Sequence, residues 1–403
     1  MLTQIHYDPP RSHTKTQTKW VIEEGSKVIS QSIKILELKI NPVLAEGASC
    51  YFPALVGAYG CLSKVQIGLN SRIVDVWTAQ EILPYLISMS ADNEKNFGIN
   101  SILYGTGNNL EIELDNDQNA LLSFNRPTVD SVTVSLKLSV YSDLLNNIGV
   151  ITDRLEIIVD WEQNTKKWLL PTSGSVTSIN ILPPYLSYET LNQDVSQPSE
   201  VSFRQWERDQ WGIPQNTTGG SQKTEVRSNG FNNKVVGRML LATTPIQISQ
   251  TTPQAEMVDL YNLFGYYMST PMYNENYNLS KNGRSLLTFR GVSNDSLKHA
   301  LCVDTWGEAC FVTNGHINSS KSVVRQLNPA TPVTNMVNGF CSYGCVEVND
   351  RITKDLVLTY YRTNPKPTGD NPTASNHALN SALIINAIGE VECVLRNGEK
   401  EYV

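Results

Sequence analysis

Val132-Thr-Val-Ser-Leu-Lys-Leu-Ser-Val140 alternates without a break. Val132, Val134, Leu136, Leu138 and Val140 are apolar, while Thr133, Ser135, Lys137 and Ser139 are polar. Successive side chains of an extended strand point to opposite faces, so this pattern predicts a strand with one face in a core and one in water. The same period recurs on either side. Leu110, Ile112 and Leu114 alternate with Glu111, Glu113 and Asp115, and the polar run 115–119 turns the chain into Ala120 to Phe124, which predicts a hairpin. Val65, Ile67 and Leu69 alternate with Lys64, Gln66 and Gly68 before Asn70-Ser71 and Ile73 to Trp77, a second hairpin. Leu155, Ile157, Val159 and Trp161 mark a further half-buried strand.

One stretch changes phase. Apolar positions run Ile33, Ile35, then Leu36, Leu38, Ile40, as they would if a β-bulge inserted one residue. The second half alternates more weakly, through Leu356, Leu358 and Tyr360, then Leu383, Ile385, Ala387, Val391, Cys393 and Leu395, closing on Asn397-Gly398. Helical spacing is confined to Ala79 to Ser90, Asp143 to Gly149 and Gln254 to Met268, too little for α/β crossovers. The expectation is an all-β chain of antiparallel sheets with short helices in the connections.

A chain of 403 residues is long for one domain and comfortable for two. Between Pro183 and Gly230 lies a tract rich in Pro, Gln, Ser and Asn. The boundary is set near its start, at about residue 190, because Phe203, Trp206 and Trp211 are aromatics that a solvated linker does not need. The expected division is an N-terminal arm over 1–24, a first unit over 25–190 and a second over 191–403. The arm carries Arg11, Lys15 and Lys19, a mild attraction to an acidic partner and no more.

Charge excludes one class of function. The net formal charge is −7, from 32 Lys and Arg against 39 Asp and Glu, and only 18% of residues are charged. Sequence-specific nucleic-acid binding is not expected, because tight phosphate binding needs clustered cations. The opening Met1 to Pro10 lacks a basic stretch followed by an apolar run, so a secretory signal is not expected, and no apolar run reaches the length of a spanning helix. Seven cysteines, Cys50, Cys61, Cys302, Cys310, Cys341, Cys345 and Cys393, are then read as free buried thiols of a protein made in a reducing intracellular compartment and not secreted. The sequons at Asn216, Asn278, Asn294 and Asn318 read as polar loops.

Each chemical motif fails at a named position. Asp115-Asn-Asp117-Gln-Asn119 has the opening rhythm of a calcium loop, but Ala120 stands where Gly must turn and Arg126 where a bidentate Glu must sit. Gly105-Thr-Gly107 lacks the third glycine of a dinucleotide loop. Cys302 with Cys310, and Cys341 with Cys345, lack the spacing of zinc knuckles, with His299 and His316 the nearest imidazoles; small buried residues are the better reading. His6, His13, His299, His316 and His377 are scattered, outside any hydrolase motif. Glu156 and Asp160 are the carboxylates worth inspecting for acid/base work on a sugar, with a solvent-facing strand edge as the commoner reading. No catalytic, cofactor-binding or metal residue is assigned, no cofactor is expected, and the chain is read as a non-enzyme.

The order of segments is more specific than any one of them. Val132 to Val140, the amphipathic Asp143-Leu-Leu-Asn-Asn-Ile-Gly149, Asp153 to Trp161 and Val176 to Tyr185 resemble the close of a first jelly roll. Val201-Ser-Phe-Arg-Gln-Trp206 resembles the strand opening a second, and Val346 to Ile352, Asp355 to Tyr360 and Ala378 to Glu401 its closing strands. The pattern is similar to that of the double jelly-roll major capsid proteins, the lineage of adenovirus hexons, virophages, polinton-like viruses and tailless membrane-containing phages. It covers about Gly25 to Val403, without an invariant fingerprint, and the short length implies modest outer loops. The resemblance implies two tandem eight-stranded antiparallel jelly rolls and a homotrimeric, pseudo-hexagonal capsomer that tiles an icosahedral virion shell. It also implies partners: the chain itself, penton and minor capsid proteins, and an internal membrane in some members. Two competitors stand beside it, a single jelly-roll capsid protein with a protruding domain and a glycan-binding or glycan-cleaving β-sandwich.

Overall fold

The computed structural model describes residues 3–43, 50–51, 61–78, 110–114, 120–124, 132–140, 142–164, 170–171, 178–214, 220–245, 276–287, 301, 304–305, 311–313, 340–342, 344–364 and 383–403. Strands dominate, and every strand pair among these residues is antiparallel. The first half runs β1 (Thr3–Asp8), β2 (Ser12–His13), β3 (Gln17–Ile22), β4 (Val28–Ile29), β5 (Lys34–Val43), β6 (Cys50–Tyr51), β7 (Leu62–Leu69), β8 (Arg72–Thr78), β9 (Leu110–Leu114), β10 (Ala120–Phe124), β11 (Val132–Lys137), β12 (Val150–Ile151), β13 (Leu155–Trp161), β14 (Leu170–Pro171), β15 (Ser178–Ile181) and β16 (Tyr185–Leu191). The second half continues with β17 (Glu200–Ile213), β18 (Gly220–Arg227), β19 (Val235–Pro245), β20 (Asn276–Lys281), β21 (Arg284–Ser285), β22 (Phe311–Thr313), β23 (Phe340–Ser342), β24 (Gly344–Arg351), β25 (Leu356–Asn364), β26 (Leu383–Arg396) and β27 (Glu399–Tyr402).

In the first half one sheet has the order β11-β5-β16-β4-β12, with β1 on β16 and β15 on β5, and a second has the order β2-β3-β13-β7-β8. Strands distant in sequence are neighbours, as a jelly roll requires. Alternate residues of each sheet turn inward: Trp20, Val65, Ile67, Ile157 and Val159 from one, Ile33, Ile35, Leu38, Leu136 and Leu186 from the other, all buried. Polar ties hold the layers together where apolar burial ends. The Trp20 indole donates to Pro184 O at 3.2 Å. At the edge Trp161 Nε1 donates to the buried Thr18 hydroxyl at 2.8 Å, and His13 joins Thr18 at 2.7 Å and Ile181 O at 2.9 Å. A carbonyl can only accept, so Nε2 of His13 donates to Ile181 O.

The phase change in β5 is a bulge. Val134 faces Leu38 but Leu136 faces Ile35, so three steps of β5 oppose two of β11, and Glu37 absorbs the extra residue at φ 53°. Ile33, Ile35, Leu38 and Ile40 all remain inward, while Leu36 is only half-buried. Both predicted hairpins form, with Leu114 opposite Ala120 and Leu69 opposite Arg72. Asn70 and Ser71 both take positive φ, the two-residue turn whose twist matches its strands.

Three expectations need correction. The alternating stretch is a strand only as far as Lys137; Leu138 to Val140 wind into a 3-10 turn that still buries Leu138. Residues 3–22 do not stand apart as an arm, because β1 pairs with β16 along its whole length and β3 with β13. Period two is weak there because β1 lies at the sheet edge, with Ile5 and Tyr7 turned outward. Glu156 is not a solvent-facing edge: it is 6% exposed, covered by Lys19 at 2.8 Å and Arg154 at 3.1 Å. The helical spacings at 79–90 and 254–268 lie outside the described residues.

The second half repeats the two-layer plan, with β17-β26-β19-β24 carrying β27 on β26, and β18-β25-β20-β21. Phe203, Trp206 and Trp211, the aromatics that argued against a linker, are buried in β17. β26 is central, paired on both edges, and its residues 385–391 are buried on both faces, which is why its alternation is faint. Gly389 sits here by necessity, since a Cβ would come within 2.9 Å of the buried Phe231 ring.

Candidate functional site

Among the described residues, those singled out for chemistry do not converge. Glu156 is neutralised by its two cations, and Asp160 accepts from Gln17 Nε2 at 2.7 Å. His6 stacks on Tyr188 with ring centroids 5.0 Å apart and meets Thr190 at 2.8 Å, while Tyr188 donates to Asp8 at 2.7 Å. Cys61 and Cys393 are free and buried, and desolvation raises both thiols, Cys393 to about 12, so neither is a nucleophile at neutral pH. Among the described residues no group of three or more His, Cys, Asp or Glu could hold a metal ion. None of the described helices is long and apolar enough to cross a membrane. The 115–119 loop, Gly105 to Gly107, Cys302, Cys310, His299, His316, His377 and the sequons at 216, 294 and 318 lie outside the described residues. Asn278 is half-buried in β20 and accepts from Ser285 at 2.8 Å.

What the fold does build is a polar seam between the two halves. The short helix Asp143–Asn147 is capped by Ser142, whose Oγ accepts from Leu145 N at 3.1 Å. Its first carboxylate, Asp143, accepts from Arg204 N at 2.8 Å, and Asn147 Nδ2 donates to Ser202 O at 3.2 Å. First-half side chains thus satisfy backbone groups of β17, as the edge of a sheet requires. From β8, Val76 O accepts from Gln205 Nε2 at 3.3 Å, and Arg72 forms an ion pair with Glu399 of β27. Lys400 of the same strand donates to Gln205 Oε1 at 2.8 Å.

Within the seam Asp75 is 3% exposed and its Oδ2 accepts from Ser142 Oγ at 2.6 Å. Burial raises this carboxyl to about 6; the Ser142 hydroxyl and Lys400 oppose the rise without cancelling it. Beside the seam a cleft of about 750 Å³ is lined by Asp143, Asn147, Arg204, Arg238 and Glu390. Both of its arginines turn to one carboxylate, Arg238 gripping the buried Glu390 through Nε at 2.7 Å and Nη2 at 2.6 Å and Arg204 reaching it at 3.5 Å. Sequence reasoning missed Asp75; the signal was a lone acid between valines in Val74-Asp-Val-Trp77.

The second feature is an outward apolar strip. Tyr7 faces Ser187 and Tyr185 faces Leu36, which puts Ile5, Tyr7, Leu36 and Tyr185 on one sheet face. Ile5, Tyr7 and Tyr185 are 55%, 62% and 42% exposed. Contiguous exposed apolar residues of this kind mark protein contacts.

Two layered antiparallel sandwiches in tandem, fixed across a polar seam, define a double jelly roll. The fold is that of known viral shell proteins. A chain from the cryo-EM structure of the Sputnik virophage matches over 100% of this chain and 88% of its own, at 13% identity and a TM-score of 0.58. The mavirus major capsid protein matches over 98% and 89%, at 9% identity and 0.51, and the Faustovirus major capsid protein over 100% and 91%, at 9% and 0.50. No protein-family model matches the sequence, and no curated protein matches it.

Proposed function

We propose that this chain is a major capsid protein, a non-enzymatic building block whose work is geometric. The observation that carries the reading is the coincidence of a double jelly roll over the whole chain with a seam that makes two lobes one unit. A join near residue 190 is supported by the pairing of the described strands, β16 with β1, β4 and β5 and β17 with β26. Three such chains in a ring present six similar lobes and tile a shell as a pseudo-hexagon. The strip of Ile5, Tyr7 and Tyr185 supplies apolar area for a second copy of the chain. Penton and minor capsid proteins, and in some shells an internal membrane, are the further partners, and the virion is the destination of a protein made in a reducing compartment.

Negative-stain images of the purified native oligomer test this reading. A six-lobed outline with threefold symmetry is expected; a three-lobed ring with radial protrusions would support the protruding-domain alternative instead.

A further inference from the structure

We propose that Asp75 and the C-terminal strand β27 form a pH-responsive clasp between the two halves, closed most tightly when Asp75 is neutral and loosened when it ionises. Five contacts define the clasp, and each joins elements far apart in sequence. Asp75 sits on β8 in the first half with its carboxyl held by Ser142 at 2.6 Å. Val76, the next residue, is bonded to Gln205 of β17; Gln205 is bonded to Lys400 of β27; and Glu399 of β27 returns to Arg72 on β8. Asp143, at the head of the helix, holds β17 at Arg204 N.

The charged and titratable groups facing Asp75 come from each packed element. Lys400 on β27 attracts its negative form and Asp143 on the helix repels it. On β26 the Cys393 thiol is within electrostatic reach of both Asp75 and Lys400, and it stays neutral. Beyond it Glu207 pairs with Lys234, and Lys234 and Lys400 lie 4.8 and 5.0 Å from the centre of the Tyr402 ring. Lys400 is therefore the cation nearest in role to a partner, yet its ammonium is bonded to Gln205 and stacked on Tyr402. An ionised Asp75 then keeps one hydroxyl donor and its own strand's amide in a dry site, a costly state. Opening the seam lets water reach the carboxylate, so ionisation favours opening.

The test is amide hydrogen exchange on the full chain, corrected for the intrinsic pH dependence of exchange. Amides of residues 74–77, 204–206 and 399–402 are expected to open about tenfold more often at about pH 7.5 than at about pH 5, from the difference in proton uptake between closed and open seams. Asp75→Asn should flatten that difference, and Lys400→Met should enlarge it. An infrared titration of the unsubstituted protein reads the same carboxyl if a variant does not fold, and should find a buried acid protonated at about pH 5. Equal opening at both pH values, a pH dependence that survives Asp75→Asn, or no protonated carboxyl would each overturn the clasp. These readouts concern the single chain, so they are independent of whether it builds a shell.

Discussion

Ser142 Oγ lies 2.6 Å from Asp75 Oδ2, and the same hydroxyl accepts from Leu145 N, so one side chain both starts a helix and holds a buried acid. Burial raises the folded carboxyl to about 6 from its ordinary 3.8. As pH rises, the unfolded chain loses this proton first, so between those values the folded state binds more protons and stability falls with pH. The loss is complete above about 6 and on the order of 2–3 kcal/mol. Asp75→Asn should remove that slope and raise the denaturant midpoint at neutral pH; a lower midpoint there would show that the charge is well solvated.

Asp209 works in the opposite sense. Its Oδ2 accepts from Trp211 Nε1, Ser228 Oγ, Asn229 N and Gly230 N at 2.8–3.0 Å. Burial pushes the carboxyl up, but these four donors outweigh it and hold it below the usual carboxylate range. The stabilisation is present above the ordinary carboxylate pKa and is lost as pH falls through the lowered folded value. Asp209→Ala leaves a buried hydroxyl and an indole N–H without their acceptor, and should cost about 2–4 kcal/mol in chemical unfolding.

The bulge in β5 rests on one residue. Glu37 holds φ at 53°, where a side chain is strained by roughly 1–2 kcal/mol. Glu37→Gly should match or exceed the parent in stability, and Glu37→Val should lose about 1–2 kcal/mol, since a β-branched residue resists that conformation most. Equal midpoints for the two variants would mean that the bulge lies elsewhere.

Leu136, opposite Ile35, is fully buried. Leu136→Ala should cost about 2–5 kcal/mol, and Leu136→Asp should abolish soluble folded protein because an unpaired buried charge has no compensation.

The outward strip separates folding from assembly. Tyr7→Asp, at a position 62% exposed, should leave the melting of the chain within about 0.5 kcal/mol of the parent, as surface changes usually do. It should weaken self-association at least tenfold in sedimentation velocity; unchanged association would move the contact off this face.

Period two made most of the fold readable. The strands at 110–114, 155–161 and 356–360, two hairpins and the β5 bulge all follow from which positions are apolar. β26 was fainter because a strand buried on both faces has no polar phase, and β1 was missed because its apolar residues, Ile5 and Tyr7, face outward and mark no core. The seam was not readable. Asp75, Ser142, Gln205 and Lys400 are ordinary residues until the fold brings positions 75, 142, 205 and 400 together, and no local spacing encodes that meeting. Glu156 illustrates the same limit: its place on the strand was plain, but its burial depends on Lys19 and Arg154 reaching over it.

The central claim is that two lobes on one chain make a threefold building block. Light scattering on the purified native protein, coupled to size exclusion, measures it directly. The account predicts a particle of three chains that persists on dilution; a stable single chain at every accessible concentration would contradict it.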